Sequence, residues 1–243
     1  MAISKRIIVN DIHLTGNGYY PVWDTVKEFI KYDKPDVIYI NGDFVECEAL
    51  SPHLKGKYSE ATHDAELRVI DEELKFLEKY CKKIVWIEGN HEAWVNKYEA
   101  KHPAMRGLLG YEKQLNLKKR GIKWIPLGED CKVGKLHIFH GIYINEHHAK
   151  KHVLKFGCSV CYGHTHVSQT HTNNQVKQTT HKAWGLACLC NKKASFLVGQ
   201  VEGSWNHEFA RLYVFDNGHF NLLPIEITNN QFVYAGRLFG KRL

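Results

Sequence analysis

Several things that would place a chain in a well-marked class are missing from this one. No apolar run in its 243 residues approaches the ~20 residues that a membrane-crossing helix needs. The opening Met1-Ala2-Ile3-Ser4-Lys5-Arg6-Ile7-Ile8-Val9 passes from two basic residues into a strand-like segment. That segment is too short for a signal-peptide core, so secretion by that route is not expected. There is no internal repeat, low-complexity tract or Pro/Ser-rich linker, and one domain over 1–243 is expected. The cysteines number seven, an odd count, and lie scattered at Cys47, Cys81, Cys131, Cys158, Cys161, Cys188 and Cys190. This argues against a disulfide framework and for reduced thiols in a cytoplasmic chain. Cys158-x-x-Cys161 and Cys188-x-Cys190 have zinc-ligand spacing, but both sit in runs that read as buried strands without flanking Gly or basic knuckle residues. Buried thiols are the expected reading.

What is present is an ordinary globular balance, 44% hydrophobic and 24% charged, with enough length to bury a substantial core. The formal charge of +7 favours anionic partners such as phosphate esters or nucleic acid without selecting among them. Lys118-Lys119-Arg120 and Lys150-Lys151 read as solvated faces. Sixteen histidines are more informative, because a chain of this size rarely carries so many without using some as ligands or proton carriers.

Along the chain, Arg6 to Asn10 is a β-branched run ending at Asp11. Val22, Val26, Phe29 and Ile30 then fall at helical spacing, stopping near Lys34-Pro35. Asp36 to Asn41 is a second strand pattern, closed by Gly42-Asp43. After a polar loop, Leu67, Ile70, Leu74, Leu77 and Cys81 mark the clearest helix. Lys83 to Glu88 is a third strand, ending at Gly89-Asn90-His91. This alternation predicts a parallel α/β sheet with right-handed crossovers. Further on, Lys135 to Phe139 leads to His140-Gly141. A basic, His-rich helix is predicted from about Glu146 to Phe156, with His147, His148 and His152 on a solvated face. Cys158 to Tyr162 is a strand ending at Gly163-His164-Thr165-His166. The remainder is mostly strand-like (Phe196 to Val201, Arg211 to Phe215, Phe220 to Ile227, Phe232 to Ala235), with a hairpin expected at Asp216-Asn217-Gly218. Segments of about 46–62 and 93–117 read as cap-like insertions.

Five segments therefore deliver metal-capable groups just after an apolar run: Asp11-x-His13, Gly42-Asp43, Gly89-Asn90-His91-Glu92, His140-Gly141 and Gly163-His164-x-His166. Any one alone is more often structural. All five together, each at a strand end where open α/β sheets place their sites, point to metal binding. An Asp/His/Asn set free of Cys suits Mn²⁺, Fe or Zn²⁺ better than Ca²⁺ or a structural zinc site.

In these motifs the chain resembles the calcineurin-like metallophosphoesterase superfamily, whose pattern is D-x-H, G-D, G-N-H-D/E, H and G-H-x-H; the resemblance covers residues 6 to 170. It implies a four-layer α/β/β/α sandwich of two mixed sheets flanked by helices. It also implies a first divalent ion, Mn²⁺ by preference, on Asp11, His13 and His166. A second would sit on Asn90, His140 and His164, with Asp43 bridging both and His91 as the unliganded catalytic histidine. Hydrolysis would then proceed by attack of a metal-activated hydroxide on phosphorus. Protein phosphatases of the superfamily have Arg-Gly after the second motif. Here Cys47-Glu48 follow Gly42-Asp43-Phe44-Val45-Glu46, so the arginine that grips a phosphomonoester is missing. Glu92 stands where repair nucleases commonly have Asp, and either carboxylate is expected to orient His91.

Gly185-Leu186-Ala187-Cys188-Leu189-Cys190 and Trp205-Asn206-His207-Glu208-Phe209-Ala210 resemble a phage- and bacterial-type branch often described as nuclease-like. Aromatic and basic residues interleave at His53, Lys55, Lys57 and Tyr58, at Trp94, Lys97, Tyr98 and Lys101, and at Lys177, His181, Lys182 and Trp184. Such mixtures suit a groove that stacks bases and tracks phosphates, and equally suit ordinary surface packing. His53 and His63, in the loop after the second motif, are candidate substrate contacts. The expected function is a phosphodiesterase on nucleic acid or nucleotides. The alternatives are a phosphomonoesterase on a protein or small metabolite and a non-catalytic nucleic-acid binder.

Overall fold

A computed structural model describes residues 3–16, 18–52, 62–174, 179–191 and 205–241. The first strand, β1 (Ile3–Val9), leads to helix α1 (Pro21–Asp33), β2 (Val37–Asn41), α2 (His63–Tyr80) and β3 (Ile84–Ile87). Two short helices follow, α3 (Trp94–Lys101) and α4 (Tyr111–Gln114), and then β4 (Lys123–Ile125). β1 to β4 pair in parallel, in sequence order. Every residue of β2 and β3 is buried, which explains why they read as continuous apolar runs without alternation. Helix α1 starts with Pro at its first turn and stops at Lys34, which adopts a left-handed backbone. The N-terminal end of α2 is capped by the Thr62 side chain, which accepts from the Ala65 amide at 3.1 Å.

The second half builds a sheet of β5 (Cys131–Val133), β6 (Leu136–Ile138), β7 (Ser159–Tyr162), β8 (Gln169–Asn173) and β9 (His181–Gly185), with α5 (His148–Phe156) between β6 and β7. Its order is β5-β6-β7-β9-β8, with β6, β7 and β9 parallel. The chain then returns to the first sheet. β10 (His207–Phe215) pairs antiparallel with β1, and β11 (Phe220–Ile227) with β10, closing the predicted Asp216-Asn217-Gly218 hairpin. A small ribbon of β12 (Phe232–Tyr234) and β13 (Arg237–Phe239) ends the fold. The strand predicted over 196–201 lies outside the described residues.

Three apolar layers hold the parts together. Ile7, Val9, Ile38, Ile40, Ile84 and Trp86 face α1 and α2 through Trp23, Val26, Phe29, Ile70, Leu74 and Leu77. Ile8, Tyr39, Val85 and Ile87 meet Leu136, Ile138, Cys161 and Trp184 between the two sheets. Phe139, Val160, Tyr162 and Ala183 pack under α5 through Ala149 and Val153. The result is helix, sheet, sheet, helix, the predicted four-layer sandwich. Within 93–117, Trp94, Val95, Tyr111, Leu115 and Leu117 join the first of these cores. Among the described residues no helix is long and apolar enough to cross a membrane.

Candidate metal centre

The predicted metal ligands and His91 each follow a parallel strand: Asp11 and His13 after β1, Asp43 after β2, Asn90 and His91 after β3, His140 after β6, His164 and His166 after β7. The strand tips are stitched to one another. Ile12 and His13 amides donate to the Asp43 carbonyl at 2.9 and 3.0 Å, the His164 amide donates to the Asp11 carboxylate at 3.0 Å, and the His91 amide donates to Asp43 Oδ1 at 2.9 Å. Asp11, His13, Asp43, His164 and His166 all have positive φ, from 47° to 68°. Non-glycine residues enter that region at a cost and cluster where geometry is over-determined by function. The glycines of the motifs serve close approach. A Cβ at Gly163 would overlap the Asp11 carboxylate, and one at Gly89 would overlap the Asp43 carboxylate and amide.

Two candidate ligand sets gather residues expected at the site. Asp11, His13 and His166 offer donor atoms within 4.8 Å of one another, as do Asp43, His140 and His164. His13 Nε2 faces His166 Nε2 at 3.2 Å, and His166 Nε2 lies 3.3 Å from Asp11 Oδ1. Asn90 Oδ1 is 3.0 Å from His140 Nε2. Asp43 Oδ2 stands 3.2 Å from His140 Nε2 and 3.9 Å from His13 Nε2, between the sets. Converging imidazole lone pairs and carboxylates, without a lysine or arginine paired to them among the described residues, fit two divalent cations.

Charge among the side chains of the pocket is strongly redistributed. Burial alone would push His13 down, but the Glu46 carboxylate on its Nδ1, with Asp43 and Asp11 nearby, raises it to about 9. His140 likewise rises against its burial to about 10 because of Asp43 and Asp11. Asp43 is held well below the usual carboxylate range; burial opposes this, and the charges of His140 and His91 outweigh it. His91 and His164 are shifted down, chiefly by burial.

A model of the calcineurin-like phosphoesterase family matches residues 4–168. The chain belongs to this family. It is thus of the metal-dependent phosphoester hydrolase type, a family that typically binds two divalent metals, and the two clusters are candidate ligand sets. No curated protein sequence matches the chain. Among solved structures it is similar to a single mutant of Vps29 from Entamoeba histolytica, at 12% identity and TM-score 0.47 over 98% of each chain. A second solved structure has 11% identity and TM-score 0.39 over 91% of this chain and 99% of its own.

Several neighbours of the calcineurin-like motifs depart from what the sequence suggested. Glu92 does not touch His91. Its carboxylate accepts from the amides of Gly89 (2.9 Å), Asp43 (3.0 Å) and Phe44 (2.7 Å), clamping two ligand loops together. Burial and the nearby Asp43 charge raise it to about 7. His91 is instead oriented by donating Nδ1–H to the Glu46 carbonyl at 2.7 Å and by stacking on Trp94, ring centroids 3.9 Å apart. Glu46, unassigned by sequence, bonds His13 Nδ1 through Oε2 at 2.7 Å, the carboxylate partner that fixes a ligand imidazole. Asn10, also missed, donates to Asp11 Oδ2 and to the Ala187 carbonyl.

The predicted solvated face of α5 is corrected. His148 and His152 are 4% and 0% exposed, and only His147 faces solvent. His148 Nδ1 pairs with the Tyr162 hydroxyl, and His152 lies on the Tyr162 ring at 3.8 Å. His152 Nε2 accepts from the Ile142 and Tyr143 amides, just past the ligand His140. Burial pushes His152 down to about 4, so it stays a neutral acceptor. His63 sits at the start of α2, its Nε2 on the Leu109 carbonyl and its ring against Tyr111. His53, with Lys55, Lys57, Tyr58 and Lys177, lies outside the described residues.

Proposed function

We propose that this protein is a two-metal phosphodiesterase acting on nucleic acid or nucleotides. Asp11, His13 and His166 would hold one divalent ion, and Asn90, His140 and His164 the other, with Asp43 between them; Mn²⁺ suits this donor set, as do Fe and Zn²⁺. Two such ions would supply Lewis acidity to the phosphoryl oxygens and acidify a water for in-line attack. The chain's own residues do the rest. A carbonyl oxygen only accepts, so His91 must carry its proton on Nδ1, which leaves Nε2 as the atom that exchanges a proton with the leaving oxygen.

The observation that carries the diester preference is Glu46. Its carboxylate lies 2.7 Å from His13 Nδ1 and 3.7 Å from His91 Nδ1, in the motif where monoester-binding relatives continue into arginine. A phosphomonoester dianion is repelled by this buried carboxylate more than a diester monoanion is. Trp205, half-buried and edge-on to His166 at 4.2 Å, offers aromatic surface beside the site. Nucleobases stack on such surface. The downstream motifs that resemble the nuclease-like phage and bacterial branch support the same choice.

The test is to compare bis-p-nitrophenyl phosphate with p-nitrophenyl phosphate in Mn²⁺, followed by single-stranded and duplex DNA. Preferential diester cleavage is expected. Strong monoester preference without DNA cleavage overturns the reading.

A further inference from the structure

A sixth strand tip reaches the same pocket. β9, parallel to β7, runs into Leu186-Ala187-Cys188-Leu189-Cys190, and the Leu189 amide donates to the Asp11 carbonyl at 3.0 Å. Leu189 packs into the α1–α2 core. In an extended segment its neighbours point the opposite way. Accordingly Cys188 and Cys190 lie side by side, Sγ to Sγ 3.3 Å, both buried. Their sulfurs and a ring nitrogen of His166 all lie within 4.8 Å of one another. His166 directs Nε2 at Asp11 and His13, while its Nδ1 is buried without a hydrogen-bond partner among the described residues. His207 Nδ1 stands 3.9 Å from Cys188 Sγ at the edge of the group.

We propose that Cys188, Cys190 and His166 form a binding site for a soft, thiophilic dication of the Zn²⁺ or Cd²⁺ kind, adjoining the two oxygen- and nitrogen-lined sets and sharing His166 with the first. Thiolate sulfur prefers such ions over Mn²⁺ or Mg²⁺. With Zn–S near 2.3 Å, two sulfurs on a tetrahedral ion sit about 3.8 Å apart. The thiols need open by only about half an ångström from 3.3 Å to admit one. Each sulfur gives up its proton on binding, and no oxidant is required. A neutral imidazole has a single lone pair, so His166 serves this ion through Nδ1 only as its Nε2–H tautomer. A soft ion here would withdraw His166 from the ion shared with Asp11 and His13 and weaken it. The site itself stands on geometry; only this competition rests on the two-metal reading.

The experiment titrates metal-free protein with Cd²⁺ and follows the sulfur-to-cadmium charge-transfer absorption. One equivalent of thiolate-bound Cd²⁺ is expected in the wild type and in Cys158→Ala/Cys161→Ala. The band should vanish in Cys188→Ala/Cys190→Ala. Should that double variant fold poorly, cadmium NMR of the wild type decides, because sulfur-bound and nitrogen- or oxygen-bound ions resonate in different ranges. An absent band, a band surviving in the Cys188/Cys190 variant, or resonances only in the nitrogen/oxygen range overturns the site. In a second arm, Cd²⁺ should inhibit Mn²⁺-supported ester hydrolysis in the wild type and much less in the double variant. Inhibition unchanged by the substitution overturns the competition and leaves the site standing.

Discussion

Protons and metal ions compete for the same lone pairs in this pocket, and the competition has a size. His13 and His140 are raised to about 9 and about 10 because buried carboxylates surround them. At pH 7 both are protonated in the metal-free protein. Freeing a group of pKa about 9 costs about 3 kcal/mol at that pH, and one of pKa about 10 costs about 4 kcal/mol. Loading both ions at pH 7 should therefore release about two protons from these imidazoles and a further fraction from Glu92, raised to about 7, and the overall binding constant should climb at least about a hundredfold per pH unit. The sign follows from the raised values. Below pH 9 protons occupy the nitrogens, so affinity falls with acidity and levels off only above pH 10. The same protonation stabilises the metal-free fold fully below the ordinary histidine pKa, and that contribution is lost as pH rises through 9 to 10. Calorimetric titration with Mn²⁺ at pH 6 to 8, in buffers of different ionisation enthalpy, counts the protons. Release near zero with pH-independent affinity would refute the idea that Glu46, Asp43 and Asp11 keep these imidazoles charged.

Substitutions at four positions probe the remaining parts. His91→Ala should lower turnover ~10²–10⁴-fold with both ions still found by elemental analysis; wild-type turnover would remove His91 from the chemistry. Asp43→Asn should lose metal and activity together, and a fully metallated, active variant would contradict the bridge. Gly163→Ala should displace the Asp11 carboxylate it would overlap, costing about 1–3 kcal/mol of stability and one ion; unchanged melting and metal content would show that the loop yields freely. His152→Phe keeps the ring on Tyr162 but removes the acceptor for the Ile142 and Tyr143 amides. It should destabilise the fold by about 1–3 kcal/mol and weaken the ion near His140, with His152→Gln recovering part of both.

Much of the architecture was legible because buried parallel strands leave a strong signature. Val37–Asn41 and Ile84–Ile87 are apolar on both faces, and the groups at their tips are the wrong residues for a core. β8 was not legible: Gln169-Thr-His-Thr-Asn173 is an edge strand, half-exposed along its length, and carries no apolar pattern. The candidate ligands could be proposed from the sequence because D-x-H, G-D, G-N-H and G-H-x-H are local strings that resemble the family pattern. The residues that hold them were hidden because their partners are distant in sequence. Glu46 meets His13 across 33 positions and Glu92 meets Asp43 across 49. The α5 histidines misled for a related reason. His148 and His152 sit among lysines, but one turn apart on the face that meets Tyr162, and a hydroxyl and two backbone amides make their burial tolerable.

The placement of charge explains why these acids and histidines occur together. Asp11, Asp43, Glu46 and Glu92 are all buried, none paired to lysine or arginine among the described residues. Four buried carboxylates cannot stay ionised unless something positive accompanies them. Without metal, His13 and His140 take up protons and Glu92 drifts toward neutrality. With two dications bound, those histidines become neutral ligands and all four carboxylates can ionise, so the fixed charges sum to about zero. On the proposed two-metal reading a substrate would then meet a pocket with little net field, in which a monoanion is accommodated and a second negative charge next to Glu46 is not. The pocket's charge balance, rather than the protein's overall positive charge, would be what favours the proposed diester.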